Sequence, residues 1–242
     1  MEELKIRVNY VKGDEVRFLS HLDLARTIRM ALRRAKWPIV VTGGFSPKMR
    51  VSFYSPLPVG TAGYDEYMDV VLGLPTSVSE EWFRTEGGVS LVHEFLSRLT
   101  LSFSESLPLG IFVKEVFLAP KDEKPFESRI ARSLYEARTR GVDEKALSLA
   151  IDNFLASPTV SYDIHGPKGT RTMDLRRFVE SAQVQPSANP ETGVVCLSMG
   201  IKHVDGRTAR PQWVVGSLSE FGLKIDPREI IVNRLEIVLD RY

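Results

Sequence analysis

Residues 4–11 read Leu-Lys-Ile-Arg-Val-Asn-Tyr-Val, apolar and polar in alternation, which predicts a half-buried strand. Gly13-Asp14 breaks the pattern. Ser20 is then placed to cap a helix, with Asp23 three residues on as an acidic variant of the capping box. Leu24, Ala25, Ile28, Ala31, Leu32 and Ala35 follow at helical spacing. Trp37-Pro38 ends that helix, because a residue before proline avoids the helical region. Gly43 to Pro47 reads as a loop, 49–54 as a strand, 56–63 as a turn and 66–72 as the next strand. A helix over 78–99, open to a break at Gly87-Gly88, and a strand over 111–118 complete the order βαββαβ.

Ala119 to Pro125 is a polar, proline-flanked connector and the best domain boundary. Its four charges predict that it is exposed. Beyond it the order recurs: a strand over 126–138, whose pattern suits a helix equally, and a helix over 142–155. A less regular stretch over 160–184 follows, then a strand over 193–203, a helix over 211–221 and a strand over 230–239. Two such runs predict an α+β protein of two tandem ferredoxin-like (βαββαβ) domains, 1–119 and 125–242.

Charge changes this picture more than composition does. Eight cations between Val16 and Arg50 face Asp23 alone, leaving +7; eight acids between Asp65 and Glu105 face Arg84 and Arg98, leaving −6. Asymmetry on that scale suits an anionic partner, unless the two segments face each other within the fold. Apolar residues at 43 % and charged residues at 26 % are ordinary for a globular chain and exclude a disordered one. Cys196 is the only cysteine, so a disulfide scaffold, an iron–sulfur cluster and a cysteine-based zinc site are excluded. The longest apolar stretch, 194–201, falls far short of the ~18 residues of a membrane span. The N-terminus lacks a signal peptide's apolar core. The expectation is a cytoplasmic protein that needs no cofactor and engages no membrane.

Several segments carry a resemblance. Phe18-Leu19-Ser20-His21-Leu22-Asp23, Arg33-Arg34-Ala35, Gly44-Phe45-Ser46-Pro47, Arg50-Val51-Ser52-Phe53 and Pro56-Leu57-Pro58-Val59-Gly60 resemble the radical-SAM-linked family of unknown function DUF2344. Glu66-Tyr67-Met68-Asp69 fits it too; Thr172-Met173-Asp174-Leu175-Arg176 and Arg210-Pro211 match more faintly. The chain departs at Lys48-Met49, where the family usually has His-Pro. In that family the domain occurs alone or fused behind a radical SAM enzyme. The resemblance therefore implies association with radical SAM chemistry, which this chain cannot itself perform for want of the three-cysteine motif. The architecture is also similar to tandem ferredoxin-like RNA-processing proteins, an analogy of fold alone.

The first helix is the most informative element. Arg26, Arg29, Arg33 and Lys36 fall within an arc of about 80° on a helical wheel, nearly opposite the apolar face. No acid lies on that arc, so pairing along the helix does not explain it. Guanidinium groups a turn apart suit successive phosphates; a solvated face is the alternative. The loop Gly43-Gly44-Phe45-Ser46-Pro47-Lys48 resembles a backbone cradle for an anion, with Phe45 free to stack on a base, or a tight turn with Phe45 in the core. Lys48 and Arg50 extend the basic set.

His21 lies just past the cap, where the helix dipole disfavours its charge, and is suited either to packing or to metal-free acid–base chemistry. Asp174, in a basic loop context, fits a catalytic carboxylate or an Asx turn. His93, His165 and His203 have no ligand spacing. The Ser20–Asp23 segment is expected near the 56–63 turn, with Gly43 to Lys48 at the opposite end of the sheet unless that loop doubles back. The first expectation is a non-catalytic RNA-binding accessory protein that recognises phosphate through Arg26, Arg29, Arg33, Lys36, Phe45, Lys48 and Arg50. Its partners are structured RNA, or another phosphate-rich ligand, and a separate radical SAM enzyme. The alternatives are a metal-independent endoribonuclease using His21, and a protein–protein adaptor without nucleic acid.

Overall fold

A computed structural model describes residues 2–74, 86–120, 123–166, 169–185 and 193–240. The chain is a mixed α+β protein that divides into two compact units, Met1–Lys124 and Pro125–Tyr242.

The first unit is built on β1 (Glu2–Lys12), the strand anticipated from its alternation. Leu4, Ile6, Val8 and Tyr10 turn to the core, each under a tenth exposed. The opposite face, expected to be wet, is dry as well: Arg7 and Asn9 are 2 % and 6 % exposed. Helix α1 (His21–Arg34) starts at Ser20, whose Oγ accepts from the Asp23 backbone N–H at 3.2 Å and donates to the Asp23 carboxylate at 2.6 Å. Its buried Leu24, Ala25, Ile28, Ala31 and Leu32 are five of the six the spacing singles out; Ala35, the sixth, is the half-buried C-cap.

Short β2 (Val51–Phe53) and long β3 (Thr61–Leu74) follow, then α2 (Glu86–Ser106) and β4 (Ile111–Leu118). All the pairings are antiparallel: β3 on one side of β1, β4 on the other, and β2 against β3. The resulting order is β4-β1-β3-β2. Helix α2 runs seven residues past the expected end at 99, and the start of that expectation, 78–85, lies outside the described residues. Leu99 and Phe103 of α2 are buried, with Phe103 5.4 Å from the Trp37 ring. Gly13 and Gly110 clasp one end of the sheet, the Gly13 N–H donating to the Gly110 carbonyl at 2.7 Å. Gly110 has φ +89°, and a Cβ there would sit 3.0 Å from the Glu15 side chain, so no larger residue fits without strain.

The second unit holds β5 (Ile130–Arg140), α3 (Glu144–Ala156), the hairpin β6 (Ser161–Gly166) and β7 (Gly169–Asp174), β8 (Val179–Gln185), β9 (Val194–Lys202), α4 (Pro211–Ser217) and β10 (Ile231–Leu239). Its sheet is antiparallel in the order β10-β5-β9-β8. The strand expected over 126–138 begins instead with a 3-10 turn, Phe126–Arg129, before β5. The irregular stretch resolves into the β6–β7 hairpin and β8. Most of the hairpin's residues are exposed whichever way they point, so it carries no hydrophobic alternation to detect. Leu147, Ile151, Phe154, Leu175, Ile201 and Val214 form the heart of a separate core.

Candidate functional site

The surface singled out by charge is α1 and the hairpin-like segment behind it. Arg26 and Arg33 are exposed on α1, about 10 Å apart along the axis. Arg29, between them, is half-buried, its guanidinium 5.5 Å from the Phe53 ring centroid. Lys36 leaves the row. The helix stops at Arg34, Ala35 caps it, and Lys36 takes a left-handed conformation with φ 57° while the Trp37 N–H reaches back to the Leu32 carbonyl. A helical wheel carried through residue 36 therefore misplaces that side chain. It remains exposed, at the C-terminal end of α1.

Among the described residues Arg26, Arg29, Arg33, Lys36 and Lys48 make no ion pair. Of the acids of 65–105, Asp69 pairs with Arg7, Asp65 with Lys114 and Glu94 with Arg98. Glu80 and Glu81 lie outside the described residues, as does Arg84. Leu22 and Met30, one helical turn either side of Arg26, are 79 % and 52 % exposed, and Phe18 ahead of the helix is 74 % exposed.

Residues 39–50 fold back on themselves. Val41 bridges Met49, the Thr42 N–H donates to the Lys48 carbonyl at 2.9 Å, and the Lys48 N–H donates to the Thr42 hydroxyl at 3.1 Å. This brace puts Gly43 to Pro47 at a tip, with Phe45 fully exposed rather than tucked into the core. Arg50 is less available than expected, because its guanidinium pairs with Glu3.

His21 opens α1 and packs edge-on against Phe53, ring centroids 5.6 Å apart. With Tyr10, Lys12, Tyr54 and Glu66 it lines a cavity of about 10 Å³, the space of one water. Burial, then the charges of Arg29 and Lys12, hold its imidazole below the usual histidine range. Lys12 Nζ donates to the carbonyls of Arg17 and Leu19, tying the approach to α1 onto the sheet end. Gly60 is tied to Arg17 there by two hydrogen bonds: its N–H donates to the Arg17 carbonyl at 3.0 Å, and Arg17 Nε donates to the Gly60 carbonyl at 2.9 Å. The 56–63 turn therefore does meet the start of α1. His21 thus stands by Lys12, the last residue of β1, and Arg50 by Glu3, near its first. That is a separation of roughly 30 Å. His21, Phe45, Lys48 and Arg50 share no pocket. Asp174 makes an Asx turn, accepting from the N–H groups of Val160 and Arg176.

Sequence reasoning missed a buried polar network on the far face of β1 and β3. Arg7 chelates Asp69 and also donates to Glu123; Tyr54 donates to Asp69 at 2.7 Å. Burial, then Asp69, pushes the Tyr54 hydroxyl well above its usual range. Beside it Asp65 accepts from Asn9 and Lys114, at 2.8 and 2.9 Å. Burial, then Asp65, pushes Tyr67 up to about 12. The connector expected to be exposed is partly drawn in, for the Glu123 side chain is 1 % exposed; Lys121 and Asp122 lie outside the described residues. The β1–β3 register sets Arg7 opposite Asp69, and no local motif carries it.

Among the described residues no group of three or more His, Cys, Asp or Glu is placed to hold a metal ion. No helix among them is long and apolar enough to cross a membrane. A comparison with curated proteins finds no match. Residues 5–211, reaching from β1 to the start of α4, match the family model described as "uncharacterized protein conserved in bacteria (DUF2344)", and the chain belongs to that family.

Proposed function

We propose that this chain is a non-catalytic RNA-binding accessory protein that positions its substrate for a separate radical SAM enzyme in the cytoplasm. The observation that carries the RNA reading is the set of five cations, Arg26, Arg29, Arg33, Lys36 and Lys48, that have no carboxylate partner among the described residues. Cations left in this state suit successive phosphates, and release of counterions supplies the affinity. The two units read best as tandem ferredoxin-like domains, a reading supported by their matching orders β4-β1-β3-β2 and β10-β5-β9-β8. The radical SAM association rests on the family resemblance, and the lone Cys196 means that any iron–sulfur cluster would come from the partner.

Binding is favoured over cleavage because His21 faces a cavity too small for a nucleotide and packs against Phe53. The test is fluorescence anisotropy with a structured RNA over a salt series. A steep fall of affinity with salt, with the RNA intact in EDTA, supports the proposal. Salt-independent binding, or cleavage lost in His21→Ala, sinks it. Exposed Phe18, Leu22 and Val59 favour a second reading, a protein-docking adaptor; failure to bind heparin or RNA would leave that one standing.

A further inference from the structure

We infer that the tip of the 39–50 segment captures an unpaired base of the RNA on Phe45, so that the ligand is single-stranded where it reaches the C-terminal end of α1. The inference rests on the RNA reading and adds to it the strand state and the point of capture.

Phe45 is as exposed as a side chain can be, at the end of a braced two-arm segment rather than a slack loop. An apolar ring held out in water forgoes the stabilisation it would gain by burial, a cost that a stacking partner removes. The bracing lowers the entropy lost when that partner arrives. Gly43 and Gly44 leave open space beside the ring: a Cβ built on either meets nothing within 4 Å, and Gly44 has φ +105°. A planar group can therefore approach without meeting side chains from the neighbouring residues.

The surroundings name the partner's charge. No Asp or Glu occurs between Asp23 and Asp65, so the charges on the two arms of the tip are Lys48 and Arg50, the latter paired with Glu3. Lys48 forms one arm of the tip. The return strand from Lys36 reaches the same end of the sheet, where Ile39 bridges Leu72 and the Gly73 N–H donates to the Pro38 carbonyl. An aromatic ring with the unpaired Lys48 on the arm behind it matches a base joined to a phosphate. In a duplex that base face is already stacked, so Phe45 selects a loop or a single strand.

The experiment uses the full chain, a fluorescein-labelled oligouridylate of roughly 12 nucleotides and an RNA duplex of the same length. The wild type is expected to prefer the single strand. Phe45→Ala weakens single-strand binding about fivefold or more and leaves duplex binding unchanged. Phe45→Leu, apolar but not aromatic, behaves like Phe45→Ala. Phe45→Trp retains affinity, and the emission it adds over the wild type is quenched by the single strand. Equal affinity for both probes, or full affinity in Phe45→Leu, overturns the inference, the latter by showing an apolar contact of the kind a protein or membrane makes. Arg26→Ala with Arg33→Ala separates the two levels. If that pair weakens binding and Phe45→Ala does not, only base capture fails; if the wild type binds neither probe, the RNA reading fails with it.

Discussion

Arg7 on β1 and Asp69 on β3 stand directly opposite in register, and the guanidinium chelates the carboxylate through Nε at 2.7 Å and Nη2 at 2.9 Å. Both side chains are almost wholly buried, at 3 % and 5 % exposed. Removing Arg7 leaves the buried carboxylates of Asp69 and Glu123 without their cation, so Arg7→Met is expected to cost about 3–5 kcal/mol, and Asp69→Ala less, since Glu123 still pairs with Arg7. Replacing all three charged partners, as Arg7→Met with Asp69→Leu and Glu123→Leu, costs less than Arg7→Met alone because no orphan charge remains. Urea denaturation midpoints of the three variants check this; additive losses would show that the charges are not coupled.

Glu123 carries the same network into the connector, where its carboxylate takes two N–H groups of Arg7. Glu123→Ala should free the 119–125 segment. Limited proteolysis is expected to cut there several times faster than in the wild type, while an unchanged rate would mean that the ion pair does not restrain the connector.

Arg26 and Arg33 are exposed, so Arg26→Glu with Arg33→Glu should shift unfolding stability by only about 0.5 kcal/mol per site. RNA affinity falls, and the slope of its logarithm against log salt flattens by about one for each phosphate that is no longer neutralised. Thermal melts and a salt titration separate the outcomes. A matched loss of folding and binding would make these arginines an internal charge interface.

His203 lies near Ser133 Oγ at 3.3 Å, and burial, then the charge of Arg234, brings its value down to about 4 from the ordinary 6.5. The unfolded chain then binds the proton more readily than the folded one, so acid favours unfolding. Its contribution is complete above about pH 6.5 and is lost progressively as pH falls towards 4. His21, lowered likewise, adds in the same sense. Stability measured across that window in wild type and His203→Gln should differ in slope, with the variant flatter; parallel curves would exclude the histidine as a source.

What was legible in the sequence was local. Ser20 and Asp23 cap α1 through a hydrogen bond spanning three residues, and the apolar spacing after them selects the face that is buried. The alternation of 4–11 marks β1 for the same reason, since strand periodicity is set by neighbouring peptide units. The basic run of α1 also needs no fold to be seen.

Tertiary structure decided what lay across chain distance. Arg7 and Asp69 are 62 residues apart, and only strand register makes them partners; without it, an alternating polar position reads as solvent-facing. The left-handed turn at Lys36 moved one cation off the predicted row, because the helix ended at Arg34, before Trp37-Pro38. The length of β1 separated His21 from Arg50, two residues that composition alone would place in one basic site. Short-range hydrogen bonding and periodicity are written in consecutive residues, whereas pairing, burial of charge and distance between sites depend on which strands meet and in what register.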